Sequence, residues 1–450
     1  MSIAVVGIGY VGLVAAACFA EMGNTVACVD SNAAKIANLK KGRLPIHEPG
    51  LDEVVMRNLE EGRLSFTTSL DDAAGSRIFF IAVGTPPSDD GSADLIQVLG
   101  VARQLGRVLR GYAIVVTKST VPVGTTERVR RAIQKEIDAR GARIEFDVVS
   151  NPEFLREGVA LNDFMNPDRV ILGGSSRRAI DALRRLYTPF VREQDRIHVM
   201  GAREAEMTKY VSNAMLATKI SFMNEIASLC ERLGVDVEPV RLGMGADPRI
   251  GYAFTYPGCG YGGSCLPKDL KALLHIGETA GVELSILKAV EARNDLQKRR
   301  LYEMVVQRFG ADLSNRTLAL WGIAFKPETD DVREAPFLAL AQLLADAGAR
   351  IQAYDPLAEA TVRNALDARL LESGQLTLSR DKYDALRGAD ALLLVTEWKQ
   401  FRNPDYDRMK ALLRAPIVFD GRNQYDPTEM MSCGFEYYAI GRGASPFNGT

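Results

Sequence analysis

The chain has 450 residues, enough for about three domains at roughly 150 residues each. Apolar residues make up 47% and charged residues 25%, as in an ordinary globular protein, and a net charge of -2 with only short basic runs such as Lys298-Arg299-Arg300 argues against nucleic acid or an anionic membrane as partner. No uninterrupted apolar run of roughly 18 residues suggests a membrane span, no basic leader precedes the first apolar run, and six cysteines without C-x-x-C or paired-His spacing make neither a disulfide framework nor a zinc site. The expectation is a cytoplasmic enzyme without metal.

Short apolar runs at 3–6, 25–29, 78–83, 113–117 and 146–149 read as buried parallel strands, with helical patterns between several of them. A doubly wound α/β sheet follows. The first run opens into Gly7-Ile8-Gly9-Tyr10-Val11-Gly12, a G-x-G-x-x-G turn at the start of a helix. There Gly7 permits the tight turn, Gly9 lets backbone approach a pyrophosphate, and Gly12 packs helix on strand. Asp30 follows the second strand, where a carboxylate binds a ribose 2′-hydroxyl and repels a 2′-phosphate, so NAD is expected over NADP. The later strands run into Gly84-Thr85-Pro86, Lys118-Ser119-Thr120 and Ser150-Asn151-Pro152-Glu153. These polar loops share the carboxyl edge of the sheet, where ligands of open α/β sheets bind.

From 204 to 233 nothing interrupts a helical pattern, and Gly234 supplies a stop. Such a helix can space two domains and carry a dimer face. Lys209 and Asn213 share one edge of it, and the neighbours Met207, Tyr210, Val211 and Met215 suggest that much of the helix is buried. A buried ammonium needs an anionic partner, and an oxyanion forming on a substrate would serve.

The run Gly258 to Asp269 (GCGYGGSCLPKD) crowds glycines around Cys265 and then turns helical at 266–276, with Pro267 in the first turn. A thiol at a helix N-terminus gains thiolate character, and Asp269 lies one turn on. A lone cysteine is more often a packing residue, and the glycines shift that balance towards close approach of a ligand. Cys259 is read as structural, and Cys18, Cys28, Cys230 and Cys433 as core. Moving one hydride needs no thiol, whereas a thiol can hold an aldehyde for a second oxidation. Runs at 317–321, 349–354, 391–395 and 417–420 read as the strands of a second α/β domain, and the Gly- and Ser-rich end at 441–450 is expected to be mobile.

Together GIGYVG, Lys118 to Thr125 (KSTVPVGT), Ser150 to Gly158 (SNPEFLREG), Asp247 to Gly251 (DPRIG), GYGGSCLPKD and Gly322 to Arg333 (GIAFKPETDDVR) resemble the UDP-glucose/GDP-mannose dehydrogenase family over nearly the whole chain. The resemblance implies two Rossmann-like domains with doubly wound parallel sheets, joined by a long central helix. Their divisions would be 1–200 for NAD, 201–300 for the central helical segment with the Cys loop, and 301–450 for the UDP-sugar. It implies a homodimer or larger assembly. It makes Cys265 the nucleophile, Lys209 and Asn213 oxyanion stabilisers, Asp269 with Thr120 the holders of a proton-carrying water, and Glu153 a participant in hydrolysis. For NAD it implies Gly7, Gly9, Tyr10, Val11, Gly12, Asp30, Lys35, Thr85, Thr120, Glu157, Lys268 and Arg333. For the sugar nucleotide it implies Glu153, Phe154, Leu155, Lys209, Asn213, Arg249 (across a dimer interface), Tyr252, Phe254, Gly262, Phe325, Lys326 and Arg422.

The implied reaction takes the C6 hydroxyl of a nucleotide-sugar to a carboxylate with two NAD. SNPEFLREG, DPRIG and GYGGSC lean towards UDP-glucose, with GDP-mannose or an N-acetylated UDP-sugar as alternatives. Other readings are a single-step hydroxyacid dehydrogenase and a non-catalytic NAD-responsive binder. Gly322 to Lys326 departs from G-x-G-x-x-G, so a second dinucleotide there is not expected, and a diphosphate held by Lys326 and Arg422 fits better.

Overall fold

The computed structural model describes residues 1–88, 90–191 and 196–442, so most of the 441–450 tail lies outside the described residues. The chain forms two compact units, Met1–Ser212 with Lys271–Ala280, and Asn213–Leu270 with Gly281–Thr450. No helix among the described residues is long and apolar enough to cross a membrane.

The first unit holds β1 (Ser2–Val6), β2 (Thr25–Val29), β3 (Leu64–Thr67), β4 (Ile78–Ile81), β5 (Ala113–Thr117), β6 (Phe146–Ser150), β7 (Val170–Gly173) and β8 (Ile197–Met200). They lie in one sheet in the order β3-β2-β1-β4-β5-β6-β7-β8. The pairings are parallel except between β6 and β7, which meet antiparallel at Ser150 and Gly173. Alternate residues of one strand enter opposite cores: Ile3 and Val5 pack in one apolar cluster, and Ala4 and Val6 in another. Both faces of β1 are therefore covered, which is why it reads as an apolar run from Ile3 to Val6. Helix Tyr10–Glu21 is buried from Gly12 to Ala20, in keeping with a sequence apolar on every side.

The long helix spans Ala202–Leu233 and ends at Gly234, whose φ of 67° is a left-handed stop. Lys209, Tyr210 and Asn213 are buried, as their apolar neighbours suggested. The expectation of burial fails for two of those neighbours, since Val211 is 49% and Met215 58% exposed. With Phe222, Leu229 and Leu233, also exposed, they recur at helical spacing along one open stripe.

The second unit holds β9 (Thr317–Trp321), β10 (Arg350–Tyr354), β11 (Leu376–Leu378), β12 (Ala391–Leu394), β13 (Ile417–Asp420) and β14 (Glu436–Ala439), in the order β11-β10-β9-β12-β13-β14 with every pairing parallel.

Its first turn repeats that of the first unit. Gly7 follows β1 with φ 95°, its N–H donating to Val29 O at the end of β2, and the next residue, Asp30, accepts from Ile8 N at 2.9 Å. Gly322 follows β9 with φ 97°, its N–H donating to Tyr354 O at the end of β10, and Asp355 accepts from Ile323 N at 2.7 Å. The second copy is closed to a ribose. Asp355 is buried and also accepts from Ala324 N, Leu357 N, Ala358 N and the Trp398 indole.

Candidate active site

In the first unit the turn at Gly7 to Gly12 starts helix Tyr10–Glu21 with Gly9 as its cap. A Cβ at Gly7 would lie 2.7 Å from Val83 N, so a side chain there would collide with backbone. A Cβ at Gly9 would meet no protein atom within 4 Å, leaving the open approach that a pyrophosphate on the helix N-terminus needs. Asp30 accepts from Ile8 N, from Asn32 N at 3.0 Å and from Lys35 Nζ at 2.8 Å. Burial pushes its pKa up, but these donors outweigh that and hold the carboxyl below its ordinary range. It stays ionised where a ribose hydroxyl would donate. This turn, with its open glycine and its carboxylate, fits NAD, whose nicotinamide accepts hydride when bound.

Neighbouring loops are tied to this edge. Thr85 Oγ1 donates to Thr120 O at 2.9 Å, and Ser119 Oγ to Val83 O at 2.6 Å. Gly158 N donates to both Tyr10 Oη and Glu48 Oε2 at 2.8 Å, and the Tyr10 hydroxyl bonds Glu48, so SNPEFLREG is latched to the dinucleotide turn. Burial and Glu48 together raise the Tyr10 phenol far above its ordinary value, so it remains a neutral donor, and half-buried Glu157 adds to that effect. Val11 is half-buried beside Tyr10. Glu48 lies in a stretch without pattern and was not singled out from sequence.

The long helix is anchored through Glu206, which accepts from Gly124 N at 2.6 Å, Thr126 N at 2.7 Å and Thr126 Oγ1 at 2.7 Å at the start of helix Thr125–Ala139. Less than one turn on, Lys209 Nζ lies 3.0 Å from Glu153 Oε1, with both side chains nearly sealed. The anion expected beside Lys209 is thus already present in part as Glu153. Leu155 N donates to Glu153 Oε2 at 2.6 Å, and Lys209 Nζ sits 5.2 Å from the centre of the Phe154 ring. Burial raises the Glu153 pKa, but Lys209, Leu155 N–H and Lys118 together hold it below the ordinary range.

In the second unit Cys265 stands immediately before helix Leu266–Thr279, its carbonyl accepting from Asp269 N at 2.9 Å. Ser264 Oγ lies 3.5 Å from its sulfur. Asp269 is 1% exposed and accepts from Asn213 Nδ2 at 2.6 Å and Lys268 Nζ at 2.7 Å. Gly262 is required by close approach, because a Cβ there would lie 2.3 Å from Glu334 O. Gly263 N donates to Arg333 O at 2.7 Å, which binds the thiol loop to GIAFKPETDDVR. Cys18, Cys28, Cys230 and Cys259 are buried, whereas Cys433, expected in the core, is only half-buried at the end of helix Pro427–Ser432.

Three models of one family match the chain in succession. They are the NAD binding domain of the UDP-glucose/GDP-mannose dehydrogenase family at residues 1–191, its central domain at 203–296 and its UDP binding domain at 319–427. The chain belongs to the UDP-glucose/GDP-mannose dehydrogenase family. A UDP-glucose 6-dehydrogenase of Pseudomonas aeruginosa is 53% identical over 98% of each chain. The structure of a UDP-glucose dehydrogenase from Pyrobaculum islandicum superposes with a TM-score of 0.88 at 41% identity, covering 98% of each chain. That of a UDP-D-ManNAc dehydrogenase from Pyrococcus horikoshii gives 0.85 at 29% identity, covering 98% of this chain and all of the other.

Other residues expected at the sites of this dehydrogenase are placed as follows. Arg422 is largely buried, donating to Val395 O at 2.8 Å and Gly260 O at 3.1 Å and pairing with Glu397 at 3.2 Å, so in this structure it braces the thiol loop. Lys326 Nζ lies 5.7 Å from the centre of the Phe325 ring, which itself lies against Gly263. Arg333 pairs with Asp331 at 2.6 Å. Arg249 pairs with Asp247 with its side chain 86% exposed. Tyr252 is 45% exposed, and Phe254 has a φ of 62°, an unusual conformation for a bulky residue.

Lys118 carries a signal that sequence reasoning left as a polar loop. It is 4% exposed, and it donates to Asn151 Oδ1 at 3.2 Å and to Tyr187 Oη at 3.5 Å.

Proposed function

We propose that this dehydrogenase oxidises the C6 hydroxyl of UDP-glucose to the carboxylate of UDP-glucuronate, in two NAD-dependent steps through a covalent adduct on Cys265. The thiol at the mouth of helix Leu266–Thr279 carries the reading, because a single oxidation of an alcohol makes no use of it. In the first step the hydroxyl loses its proton to a water held by Asp269 and Thr120, and its carbon loses a hydride. Lys209 and Asn213 stabilise the oxygen as charge develops on it. The Cys265 thiol adds to the aldehyde carbon, giving a thiohemiacetal. Loss of a second hydride and a proton leaves a thioester. Water adds to that carbonyl near Glu153, the C–S bond breaks, and the thiol is restored with release of the acid. Ionised Glu153 orients that water and holds Lys209 in place.

The sugar nucleotide rests on the names of the relatives and on SNPEFLREG and GYGGSC. The second unit, with its dinucleotide turn closed by Asp355, suits a nucleotide diphosphate near Lys326 rather than a second NAD. The exposed stripe Val211, Met215, Phe222, Leu229 and Leu233 supports pairing with a second copy, which would give exposed Arg249 a partner's substrate to reach. The enzyme draws on cytoplasmic NAD and sugar nucleotide in this reading. The test is a panel of UDP-glucose, GDP-mannose and N-acetylated UDP-sugars with NADH counted against sugar consumed. Two NADH per UDP-glucose supports the reading. One NADH supports a single-step enzyme, and turnover of another sugar alone moves the specificity.

A further inference from the structure

Residues 258–263 of the thiol loop are buried and belong to no helix or strand. A buried irregular segment must find partners for its peptide groups elsewhere. One helix, Ser285–Lys298, supplies several of them. It buries Asn294 at 5% and Gln297 at 1% exposure on one face, while its Ile286 and Leu296 stand exposed, the reverse of an ordinary amphipathic helix. Gln297 Nε2 donates to Gly258 O at 2.6 Å, and Arg293 Nη2 fixes that amide by donating to its Oε1 at 2.6 Å. Asn224 of the long helix completes the hold on Gly258, its Oδ1 accepting from Gly258 N at 2.8 Å. Asn294 takes Tyr261 from both sides. Its Oδ1 accepts from Tyr261 N at 2.9 Å, and its Nδ2 donates to Tyr261 O at 3.1 Å. An amide carries an acceptor and a donor on one planar group, whereas a carboxylate offers no donor and an alkyl group neither.

Between Tyr261 and Cys265 lie only Gly262, Gly263 and Ser264, and Gly263 has a φ of 86°. Glycines turn freely unless the chain is held on either side of them. Helix Leu266–Thr279 holds the far side of Cys265, and Tyr261 the near side. We propose that Asn294 is a positioning residue for the thiol step, keeping the Cys265 sulfur in reach of the aldehyde carbon by fixing both peptide groups of Tyr261. The inference rests on the dehydrogenase reading, and it separates the two oxidations. Alcohol to aldehyde makes no use of sulfur. The second oxidation begins when the S–H adds across the aldehyde C=O, forming the C–S bond with no change in oxidation level. A hydride then passes to NAD as a proton leaves, giving the thioester. Such an addition depends on placement, and a shift of about 1 Å can cost about 100-fold.

The test compares the two halves of the reaction in wild type and Asn294→Ala. The first is read as the initial phase of NADH formed from UDP-glucose in a single turnover with enzyme in excess. The second is read as kcat/KM for the 6-aldehyde of UDP-glucose at saturating NAD. Asn294→Ala is expected to keep the first within about three-fold and to lose about 10-fold or more in the second. Asn294→Asp matches the amide in size and keeps the acceptor for Tyr261 N, but when ionised offers no donor to Tyr261 O. It should lose about three-fold or more in the second half alone. A residue that served only to stabilise the fold would not divide the two halves. Equal slowing of both, or wild-type rates in both, overturns the proposal. Should Asn294→Ala not fold, a wild-type second rate in Asn294→Asp does so alone. Two NADH per UDP-glucose from wild type beside variants unchanged in both halves would sink this inference and leave the dehydrogenase reading standing. A wild type inert towards the aldehyde would end both.

Discussion

Lys209 and Glu153, 56 positions apart in the chain, meet at 3.0 Å with 4% and 6% of their side chains exposed. Breaking such a pair from one side leaves a buried charge behind. Lys209→Met is expected to cost about 3 kcal/mol of stability in urea unfolding, and turnover by about 100-fold or more. Adding Glu153→Gln should recover part of the stability and none of the turnover. The sign of the pH effect follows from Glu153, whose folded pKa lies below its ordinary 4.5. Its contribution is complete above that value and disappears as pH falls through the lower, folded one. A stability difference between wild type and Glu153→Gln that stays the same from pH 7 down into acid would contradict this.

Asp30 and Lys35 form a 2.8 Å pair at the place where the two dinucleotides differ. Asp30→Ala removes the charge that repels a 2′-phosphate and releases a lysine that can bind one. The ratio of kcat/KM for NADP over NAD should rise by about 10-fold or more. An unchanged ratio would mean that the ribose lies elsewhere.

Lys118 also predicts a stability effect with the opposite pH dependence from Glu153. Its folded pKa of about 8 lies below the 10.5 of an unfolded lysine, so the unfolded chain binds more protons between those values and stability rises with pH there. Below about pH 8 the cost of the buried charge is fully present, about 3 kcal/mol from that difference. Lys118→Met should therefore be more stable than wild type at pH 7, and the gap should narrow by pH 10. A variant less stable at pH 7 would show that the lysine is there for packing.

The open stripe on the long helix predicts self-association. Phe222 is 51% exposed at its middle, and Phe222→Glu would place a charge in a paired apolar face. Light scattering should show wild type at twice the mass of one chain or more, and the variant shifted towards a single chain. Identical masses would remove the stripe as an interface.

The strands read from sequence and those left out divide by position in the sheets. β1, β2, β4, β5 and β6, and later β9, β10, β12 and β13, are interior strands with a neighbour on each side, and most of their residues are apolar, although Asp147 in β6 and Arg350 and Gln352 in β10 interrupt the pattern. β3, β8, β11 and β14 are the four edges, with one neighbour each, and they tolerate polar residues such as Ser65 and His198. β7 was also missed, next to the antiparallel joint at Ser150 and Gly173. The dinucleotide turn was legible because its glycines and Asp30 are tied by local geometry. Its echo at Gly322 and Asp355 was hidden, because there the spacing is longer and the glycines of the fingerprint are absent. The place of Cys265 just before a helix, with Asp269 in its first turn, was legible from the glycine loop that precedes it. The Glu153–Lys209 pair and the buried state of Lys118 were not, because they depend on loops from separate strands meeting one helix.

The central claim is that the Cys265 sulfur holds the half-oxidised sugar, and the measurement that tests it most directly is the yield of UDP-glucuronate from Cys265→Ala supplied with UDP-glucose and excess NAD. The account predicts a folded protein that binds NAD, releases at most one NADH per sugar and forms no uronate. Uronate formed at the wild-type rate, with two NADH, would contradict it.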